Sequence, residues 1–357
     1  AAMASSSTPP ALFVFAMFAS TCGVSGLALP SRTRTGSGAA RSLVRFADAA
    51  PAEPQLFPLL FVLCRREALQ LAGLRAQAAA EARLVDGPFV IDLGFTTRQQ
   101  LLVLPTGVAL PAGAASESPC VTWDELDEIA RDKRDSAWEC EAGYKPVRIE
   151  TFSEATNRHA KLLPVDNGCP TAVLAGFNMH RMKGTNPVAD TKEKLSAFGS
   201  LGPSGTVLDV CTGLGYTSIA ASRLPGVERV TTIELDPGMV EMQRRNPWSR
   251  ELFTSPKIER LLGDATVVLP GLHSGAFSCV CHDPPMSSLA GDLYGLQFYQ
   301  ELYRVLRPSG RLFHYIGDPD SKASGQLFKG VGARLREAGF ADVKLAKDAF
   351  GLIATRS

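Results

Sequence analysis

The C-terminal half of the chain alternates short apolar runs with amphipathic stretches of helical length. Residues 206–210 form an apolar run that predicts a buried strand, and residues 217–222 predict the helix after it. Asp236 and Pro237 predict the start of another helix, because Asp suits the N-cap and Pro the first helical position. Further strands are predicted at residues 229–233, 258–262, 277–281, 311–316, 343–346 and 351–355, and helices near residues 293–306 and 322–338. This alternation predicts an α/β fold with a doubly wound, Rossmann-like sheet that binds ligands at the carboxyl ends of its strands.

The pattern before residue 200 is mixed and predicts a small α+β region. An Ala-rich segment at residues 67–84 and a polar segment at residues 123–139 predict helices, the second with Thr122 and Glu125 at the spacing of a capping box. Strands are predicted at residues 89–93, 100–104, 145–151 and 172–177. We therefore divide the chain into a leader at residues 1–50, a linker or helical segment at 51–84, an accessory α+β region at 85–199 and a main domain at 200–357.

The first fifty residues differ in composition from the rest. Residues 1–47 contain no Asp or Glu, and an apolar stretch at residues 11–29 precedes a Ser- and Arg-rich stretch at residues 31–46. This order is typical of a bipartite targeting leader, which is disordered or cleaved in the mature protein. We predict a transit peptide for the plastid (chloroplast), with a mitochondrial leader, secretion or a membrane anchor as alternatives. No stable membrane partner is expected once the leader is removed.

Charge and cysteine content count against two classes of site. The net charge is +1, so no overall electrostatic attraction draws the chain to nucleic acid, and a nucleic-acid substrate would need a local basic patch. The eight cysteines include no CxxC pair. Cys279 and Cys281 would share one face of a strand and His282 the other, so we interpret them as core residues and predict no metal site.

A glycine turn follows the first predicted strand of the main domain. Residues 211–216 have the sequence Cys-Thr-Gly-Leu-Gly-Tyr, and Gly213 and Gly215 have no Cβ to obstruct a ligand. Such turns also serve flavins, NAD and plain packing, so the spacing beyond the turn matters. Glu234 ends the second strand about 20 residues later, where a carboxylate can accept hydrogen bonds from ribose hydroxyls.

Residues 204–357 resemble a class I S-adenosylmethionine-dependent methyltransferase domain. Residues 208–215 match the glycine motif of that family, with Cys211 in place of its usual first glycine. Further likeness to an archaeal-type group of predicted methyltransferases rests on residues 212–217, 246–250, 282–285, 289–294 and 311–315, and reaches back to about Lys161. The resemblance implies a seven-stranded sheet and S-adenosyl-L-methionine as the cofactor, but no particular substrate.

The resemblance also implies roles for individual residues. Asp209 would lie near the methionine amino end of the cofactor, Glu234 would hold the ribose hydroxyls, and Asp264 would contact the adenine amino group. Trp248 and Arg250 would either contact substrate or cap a helix, and we favour the structural role. The predicted cofactor contacts are Asp209, Thr212, Gly213, Gly215, Tyr216, Glu234, Asp264 and Ala265.

A substrate motif follows the fourth strand, where residues 282–285 have the sequence His-Asp-Pro-Pro. Methyl transfer is an in-line displacement that depends on holding the nucleophile against the methyl carbon. In the enzymes that this motif resembles, it grips an NH2 group, so Asp283 and the Pro284 carbonyl are the predicted catalytic groups. Met286 stands where an aromatic residue is usual, which weakens stacking on a planar acceptor. Other candidate substrate-side residues are His180, His282, His314 and Tyr315.

These features favour a methyltransferase that acts on nitrogen, with RNA, protein or a small amine as the acceptor. One alternative is an aminopropyltransferase of the polyamine-synthase type, which shares the fold. The absence of acidic residues at positions 284–289 counts against it. Another alternative is a non-catalytic cofactor-binding protein, against which the intact Asp283-Pro284-Pro285 motif argues. The sequence leaves the oligomeric state and the role of residues 85–199 open.

Overall fold

A computed structural model describes residues 60–111, 118–166, 168–321 and 324–357, all of which fall in one compact unit. The predicted leader at residues 1–50 lies outside these ranges. Among the described residues, none of the helices is both long enough and apolar enough to span a bilayer.

Residues 60–148 form an N-terminal lobe of two small antiparallel sheets and two helices. One sheet has the strand order β1-β6-β7 and the other β2-β3-β4-β5, and both pack around α1 and α2 in one hydrophobic core. The elements are β1 (Leu60–Leu63), α1 (Arg65–Ala72), β2 (Arg83–Ile91), β3 (Thr96–Leu104), β4 (Gly107–Ala109), β5 (Val121–Thr122), α2 (Trp123–Ala130), β6 (Trp138–Glu141) and β7 (Val147–Arg148).

Two predicted helices of this lobe are wrong in extent. The helix predicted over residues 67–84 ends at Ala72 and passes into a 3-10 turn at Gly73–Gln77. Its last two residues, from Arg83, pair instead with β3, and this tertiary pairing overrides helix propensity there. The helix predicted over residues 123–139 ends at Ala130. There the carboxylate of Asp132 accepts the backbone N–H of Arg134 and the indole N–H of Trp138, both at 3.0 Å, which turns the chain into β6.

A third antiparallel sheet, which we call the bridging sheet (residues 150–178), connects the lobe to the main domain. Its strand order is β11-β10-β9-β8. Its elements are β8 (Glu150–Ser153), β9 (Arg158–Leu163), β10 (Thr171–Leu174) and β11 (Phe177–Asn178). The chain then enters α3 (Pro187–Ser196), where the Asn186 side chain accepts the Ala189 N–H as the N-cap.

The main domain is built on the predicted seven-stranded sheet, with the order β14-β13-β12-β15-β16-β18-β17. The strands are parallel except β18, which runs antiparallel to both of its neighbours. The strands are β12 (Gly205–Val210), β13 (Val227–Glu234), β14 (Ile258–Leu262), β15 (Phe277–His282), β16 (Leu306–Tyr315), β17 (Phe340–Ala346) and β18 (Gly351–Arg356). The helices are α4 (Tyr216–Ser222), α5 (Pro237–Arg245), α6 (Glu251–Thr254), α7 (Ala265–Val268), α8 (Leu296–Val305) and α9 (Ser324–Glu337).

Helices cover both faces of the main sheet, which confirms the predicted Rossmann-like α/β fold. Residues of β12 alternate between the faces: Leu208 packs in the cluster that contains α8 and α9, and Val207 packs with residues of α3 and α4. Cys279 and Cys281 both lie in the second cluster, as predicted from their spacing. The helix α3 precedes the predicted domain boundary at residue 200, yet its Leu195, together with Phe198 just after the helix, packs on the main sheet.

Trp248 fastens the N-terminal lobe to the main domain. It lies in a turn after α5, its indole N–H donates to the Leu93 carbonyl at 3.0 Å, and its ring meets Phe95 edge to face at 5.3 Å. The favoured structural role of Trp248 therefore agrees with its contacts, and Trp248 does not line the cavity described below.

We expect Trp248→Phe to lower the free energy of unfolding by about 1–3 kcal/mol, because the nearly buried Leu93 carbonyl loses its donor. Urea denaturation measures this change. Trp123→Phe is the matched control, since its indole N–H bonds Pro105 within the lobe and fastens nothing to the main domain. Proteolysis should release the lobe faster in Trp248→Phe than in Trp123→Phe, and equal rates would contradict the proposed fastening.

Candidate active site

A cavity of about 810 Å³ opens at the carboxyl ends of β12, β13 and β15. Its floor is formed by the ends of the parallel strands, and the bridging sheet contributes part of its wall through Arg158, Leu174 and Phe177. The volume lies in the upper part of the range for small-molecule sites, so it has room for a nucleoside cofactor and a small second ligand.

The glycine turn begins where β12 ends. Gly213 lines the cavity at a left-handed φ of 54°, and a Cβ there would lie 2.6 Å from Met179 Sδ. Any other residue would adopt a strained left-handed backbone here and would have to displace the side chain of Met179. Cys211, the departure from the usual glycine, also lines the cavity and adopts a left-handed φ of 74°. The turn keeps a glycine-like backbone at a non-glycine residue.

Glu234 stands at the end of β13 and faces the same cavity. Its carboxylate accepts the Gly213 N–H at 2.8 Å and the Asp236 N–H at 2.9 Å. Burial raises the pKa of Glu234 to about 7, and the two backbone donors limit the rise. The carboxylate is thus fixed in the wall at the position predicted for a ribose contact.

The remaining predicted cofactor residues of the wall lie just after β14, in the glycine turn and at the start of α4. Asp264 is the N-cap of α7, where its carboxylate accepts from the Thr266 N–H at 2.8 Å. Thr212 shares a hydrogen bond of 2.6 Å with Thr232. The Tyr216 hydroxyl donates to the Pro170 carbonyl at 2.8 Å, which ties α4 to the residue just before β10 of the bridging sheet. Residues of the predicted set that line the cavity are Thr212, Gly213, Tyr216, Glu234, Asp264 and Ala265.

The structure corrects the predictions for Asp209 and Gly215, since neither lines the cavity. Asp209 is 2% exposed and accepts hydrogen bonds from Ser218 at 2.5 Å and Thr232 at 3.3 Å. Burial raises its pKa to about 7, and the Ser218 hydroxyl opposes the rise. Gly215 faces away from the cavity, toward Leu252, and a Cβ there would lie 2.2 Å from that side chain. Both residues therefore stabilise the glycine turn through contacts on the side away from the cavity.

The Asp-Pro-Pro motif forms the opposite wall, after β15. Asp283, Pro284 and Met286 line the cavity, together with the predicted Tyr315 from the end of β16. The Tyr294 hydroxyl donates to the Pro285 carbonyl at 3.0 Å and so fixes the motif from behind. These groups face the glycine turn across one continuous volume.

Lys194 is the main site residue that sequence reasoning missed. Its side chain is 2% exposed, and its ammonium lies 2.5 Å from Asp283 Oδ2 and 2.8 Å from Asp190 Oδ2. Burial alone lowers the pKa of Lys194, but the carboxylates of Asp283 and Asp190 raise it above its ordinary value, so the ammonium stays charged. The only sequence signal was the four-residue spacing of Asp190 and Lys194 on α3, which is common on helix surfaces.

The three predicted histidines divide between wall and core. His180 lines the cavity, hydrogen-bonds Thr171 through Nδ1 at 2.9 Å and stacks on Tyr216, and burial lowers its pKa to about 3. The predictions for His282 and His314 are wrong, because both are fully buried and stack on each other at 4.3 Å. They are register partners on β15 and β16, so strand alternation turns the following residues, rather than the histidines, toward the cavity.

We expect Gly215→Ala to lower the free energy of unfolding by about 2–5 kcal/mol, because about 1–2 kcal/mol of left-handed strain adds to overpacking against Leu252. Gly184→Ala is the control, since Gly184 has a φ of 70° with no atom near its Cβ position. Urea denaturation compares the two. Equal losses would contradict the proposed contact, and folded Gly215→Ala should bind cofactor almost normally.

Comparison with known proteins adds a family to this geometry. Residues 207–310 match a family model described as "Methyltransferase domain". The uncharacterized protein MJ1233 of Methanocaldococcus jannaschii is 42% identical over 237 residues, which cover 66% of this chain and 78% of that protein.

Two further relatives have names that state an activity. Polyamine aminopropyltransferase 2 of Streptomyces coelicolor is 34% identical over 39% of this chain, and putrescine N-methyltransferase 4 of Nicotiana tabacum is 26% identical over 47%. The chain spans only 26% and 40% of the lengths of these two proteins. With the fold, the cavity and the relation to MJ1233 in place, the chain belongs to the same family as that archaeal protein and is a class I S-adenosylmethionine-dependent methyltransferase.

Proposed function

We propose that the protein methylates a nitrogen atom of a small amine. The observation that carries this proposal is the position of the Asp283 carboxylate, which lines the same cavity as the glycine turn and Glu234. The methyl donor and a proton-accepting group would therefore meet in one volume. The identity with MJ1233 also supports placing the chain in the archaeal-type methyltransferase group that its motifs resemble.

The chemistry of the cavity fits S-adenosylmethionine. Gly213 lines the cavity, and its N–H donates to Glu234, which presents a fixed carboxylate beside the turn. The excess of carboxylates suits a cofactor with a cationic sulfonium centre. The charged lining residues are Glu234, Asp236, Asp264, Asp283 and Asp292 against Arg158 and Arg181.

Asp283 has the properties of a proton acceptor. An aliphatic amine is protonated at neutral pH and must lose a proton before its nitrogen can act as a nucleophile. Burial raises the pKa of Asp283, so its carboxylate is more basic than that of a surface Asp. The neighbouring ammonium of Lys194 limits this rise and favours the ionised form. When bound, S-adenosylmethionine supplies an electrophilic methyl group. Asp283 would take the ammonium proton, and the Pro284 carbonyl would accept a second N–H and orient the nitrogen.

Three observations favour a small amine over RNA or protein. The bridging sheet closes on the cavity through Thr156, which donates to Asp236 at 3.0 Å, and through Arg158, which donates to the Leu289 carbonyl at 3.3 Å. Met286 provides no aromatic surface for a base. The tobacco relative is named for methylation of putrescine, a small diamine.

Aminopropyl transfer is the second candidate, and the Streptomyces relative supports it. Its nucleophile is again an amine nitrogen, so Asp283 would have the same task. The donor would be decarboxylated S-adenosylmethionine. A diamine would bind to the same acceptor side in either reaction, so the preference for methyl transfer rests on the match of residues 207–310 to the family model described as "Methyltransferase domain".

We expect the purified protein to transfer labelled methyl from S-adenosylmethionine to diamines or polyamines, and not to tRNA or a peptide mixture. The assay measures label in each separated acceptor fraction. Label in RNA or protein would contradict the small-amine proposal. Product formation only with decarboxylated S-adenosylmethionine would establish aminopropyl transfer instead.

We expect Asp283→Asn to lower kcat by about 100-fold or more, because the amide cannot take the ammonium proton. The Kd for S-adenosylmethionine, measured by calorimetry, should stay nearly unchanged. Asp342→Asn is the matched control, since Asp342 is an exposed carboxylate on β17. An Asp283→Asn protein that turns over like the control would overturn the role of Asp283.

A further inference from the structure

An ion-paired chain of four side chains runs from α3 and the segment before it to the acceptor side of the cavity. Arg181 bonds Asp190, Asp190 pairs with Lys194 at 2.8 Å, and Lys194 pairs with Asp283 at 2.5 Å. Asp190 and Lys194 are 0% and 2% exposed. A fully buried ammonium is costly unless it is paired, so this Lys stays where it is only because both carboxylates are there.

Arg181, the residue of this ion-paired series farthest from the cavity's Asp283, has several further contacts. Arg181 also pairs with Glu193 and donates to the Asp348 carbonyl at 2.9 Å, and its guanidinium lies 4.2 Å from the Phe350 ring centroid. Lys194 therefore approaches Asp283 from a fixed direction. Its ammonium also lies 4.7 Å from the ring centroid of Tyr315, a residue of the cavity wall.

In this arrangement the two carboxylate oxygens of Asp283 have different partners. Lys194 binds Oδ2, which leaves Oδ1 to meet an acceptor nitrogen. We propose that Lys194 is a positioning residue that reserves Oδ1 of Asp283 for the acceptor and holds the carboxylate in its ionised, proton-accepting form. This inference rests on the proposed amine methylation.

Charge explains why a lysine is needed here. Burial favours the protonated form of Asp283, which cannot take a proton from the acceptor. The neighbouring carboxylate of Asp190 also raises the pKa of Asp283, whereas Lys194 and Arg181 lower it. Lys194 is the cation in direct contact, so its removal would shift the balance toward protonated Asp283.

The other titratable groups around the pair do not replace Lys194. Burial raises the pKa of Tyr315 to about 12 and lowers that of His180 to about 3, so both stay neutral near pH 7. The groups that face Lys194 or Asp283 are Arg181, Asp190, His180, Asp209, Cys211, Cys281, Tyr294 and Tyr315. Burial raises the pKa of Asp209 and of Glu234 to about 7, so both groups also contribute to the pH dependence of kcat. The informative measurement is therefore the difference in the midpoint of the acidic limb between variants.

The test compares the pH dependence of kcat in Lys194→Met, Lys194→Arg and the wild type. Activity needs ionised Asp283, so it falls as pH falls through the pKa of that group. Lys194→Met should move the acidic limb upward by about one pH unit or more, which lowers kcat on that limb by about 10-fold or more. The KM for S-adenosylmethionine should barely change, and Lys194→Arg should restore the position of the limb. Lys192→Met, on the exposed side of α3, should match the wild type.

A second pair of variants addresses folding, because Lys194→Met leaves Asp190 and Asp283 without their cation. Asp190→Asn combined with Lys194→Met removes one positive and one negative charge together. This double variant is compared with Asp190→Asn alone, so that the loss of Lys194 is the single difference. The same upward shift of the acidic limb is expected between these two proteins.

Direct titration separates this inference from the proposed function. Carbon-13 NMR of the Asp carboxyl groups, assigned with Asp283→Asn, should show a higher pKa for Asp283 when Lys194 is replaced. If no amine is methylated but this shift is present, the proposed function fails and the effect of Lys194 on Asp283 stands. An unchanged pKa and an unmoved acidic limb would overturn the inference.

Discussion

Three carboxylates crowd the carboxyl edge of the main sheet, and much of the surrounding structure follows from the need to stabilise them. The strands β12, β13 and β15 are neighbours, so Asp209, Glu234 and Asp283 come to one edge. Burial raises the pKa of each of them, because the ionised form loses its hydration. Different groups stabilise the ionised form of each carboxylate: hydroxyl donors at Asp209, backbone N–H groups at Glu234 and a buried ammonium at Asp283.

The raised pKa values couple this edge to stability and to binding. A carboxyl group whose pKa is raised on folding contributes stability below its unfolded pKa, and that contribution is lost as pH rises through the folded value. For Asp209 and Glu234 the folded value is about 7, so ionisation of this edge opposes folding at neutral pH. A cation bound beside the edge lowers these pKa values and opposes that loss. S-adenosylmethionine carries a sulfonium cation, so we expect its binding in this cavity to stabilise the folded protein.

Local sequence pattern predicted the main sheet well, because its signals are short-range. The strand β14 has the predicted bounds, and Asp236 and Pro237 begin α5 as N-cap and first residue. These short-range signals did not predict the position of a side chain where contacts between residues far apart in sequence determine it. Lys194 meets Asp283 across 89 positions of the sequence, and nothing near Lys194 indicates that α3 turns this residue inward. For His282, one position along the strand separates the core from the cavity wall, and sequence alone did not fix that alternation at the strand end.

Lys194 lies outside residues 207–310, the part of the chain that matches the methyltransferase family model. The Asp-Pro-Pro motif lies inside it, yet the protonation state of its carboxylate depends on a residue contributed by α3, before the matched segment. The same pair serves methyl and aminopropyl transfer equally, since both reactions need a neutral amine nitrogen. We therefore expect the choice between the two donors to depend on the glycine-turn side, where Met179 packs against Gly213 and His180 stacks on Tyr216. On the proposal made here, amine activation and donor selection belong to opposite walls of one cavity, and both walls contact the segment between the bridging sheet and α3.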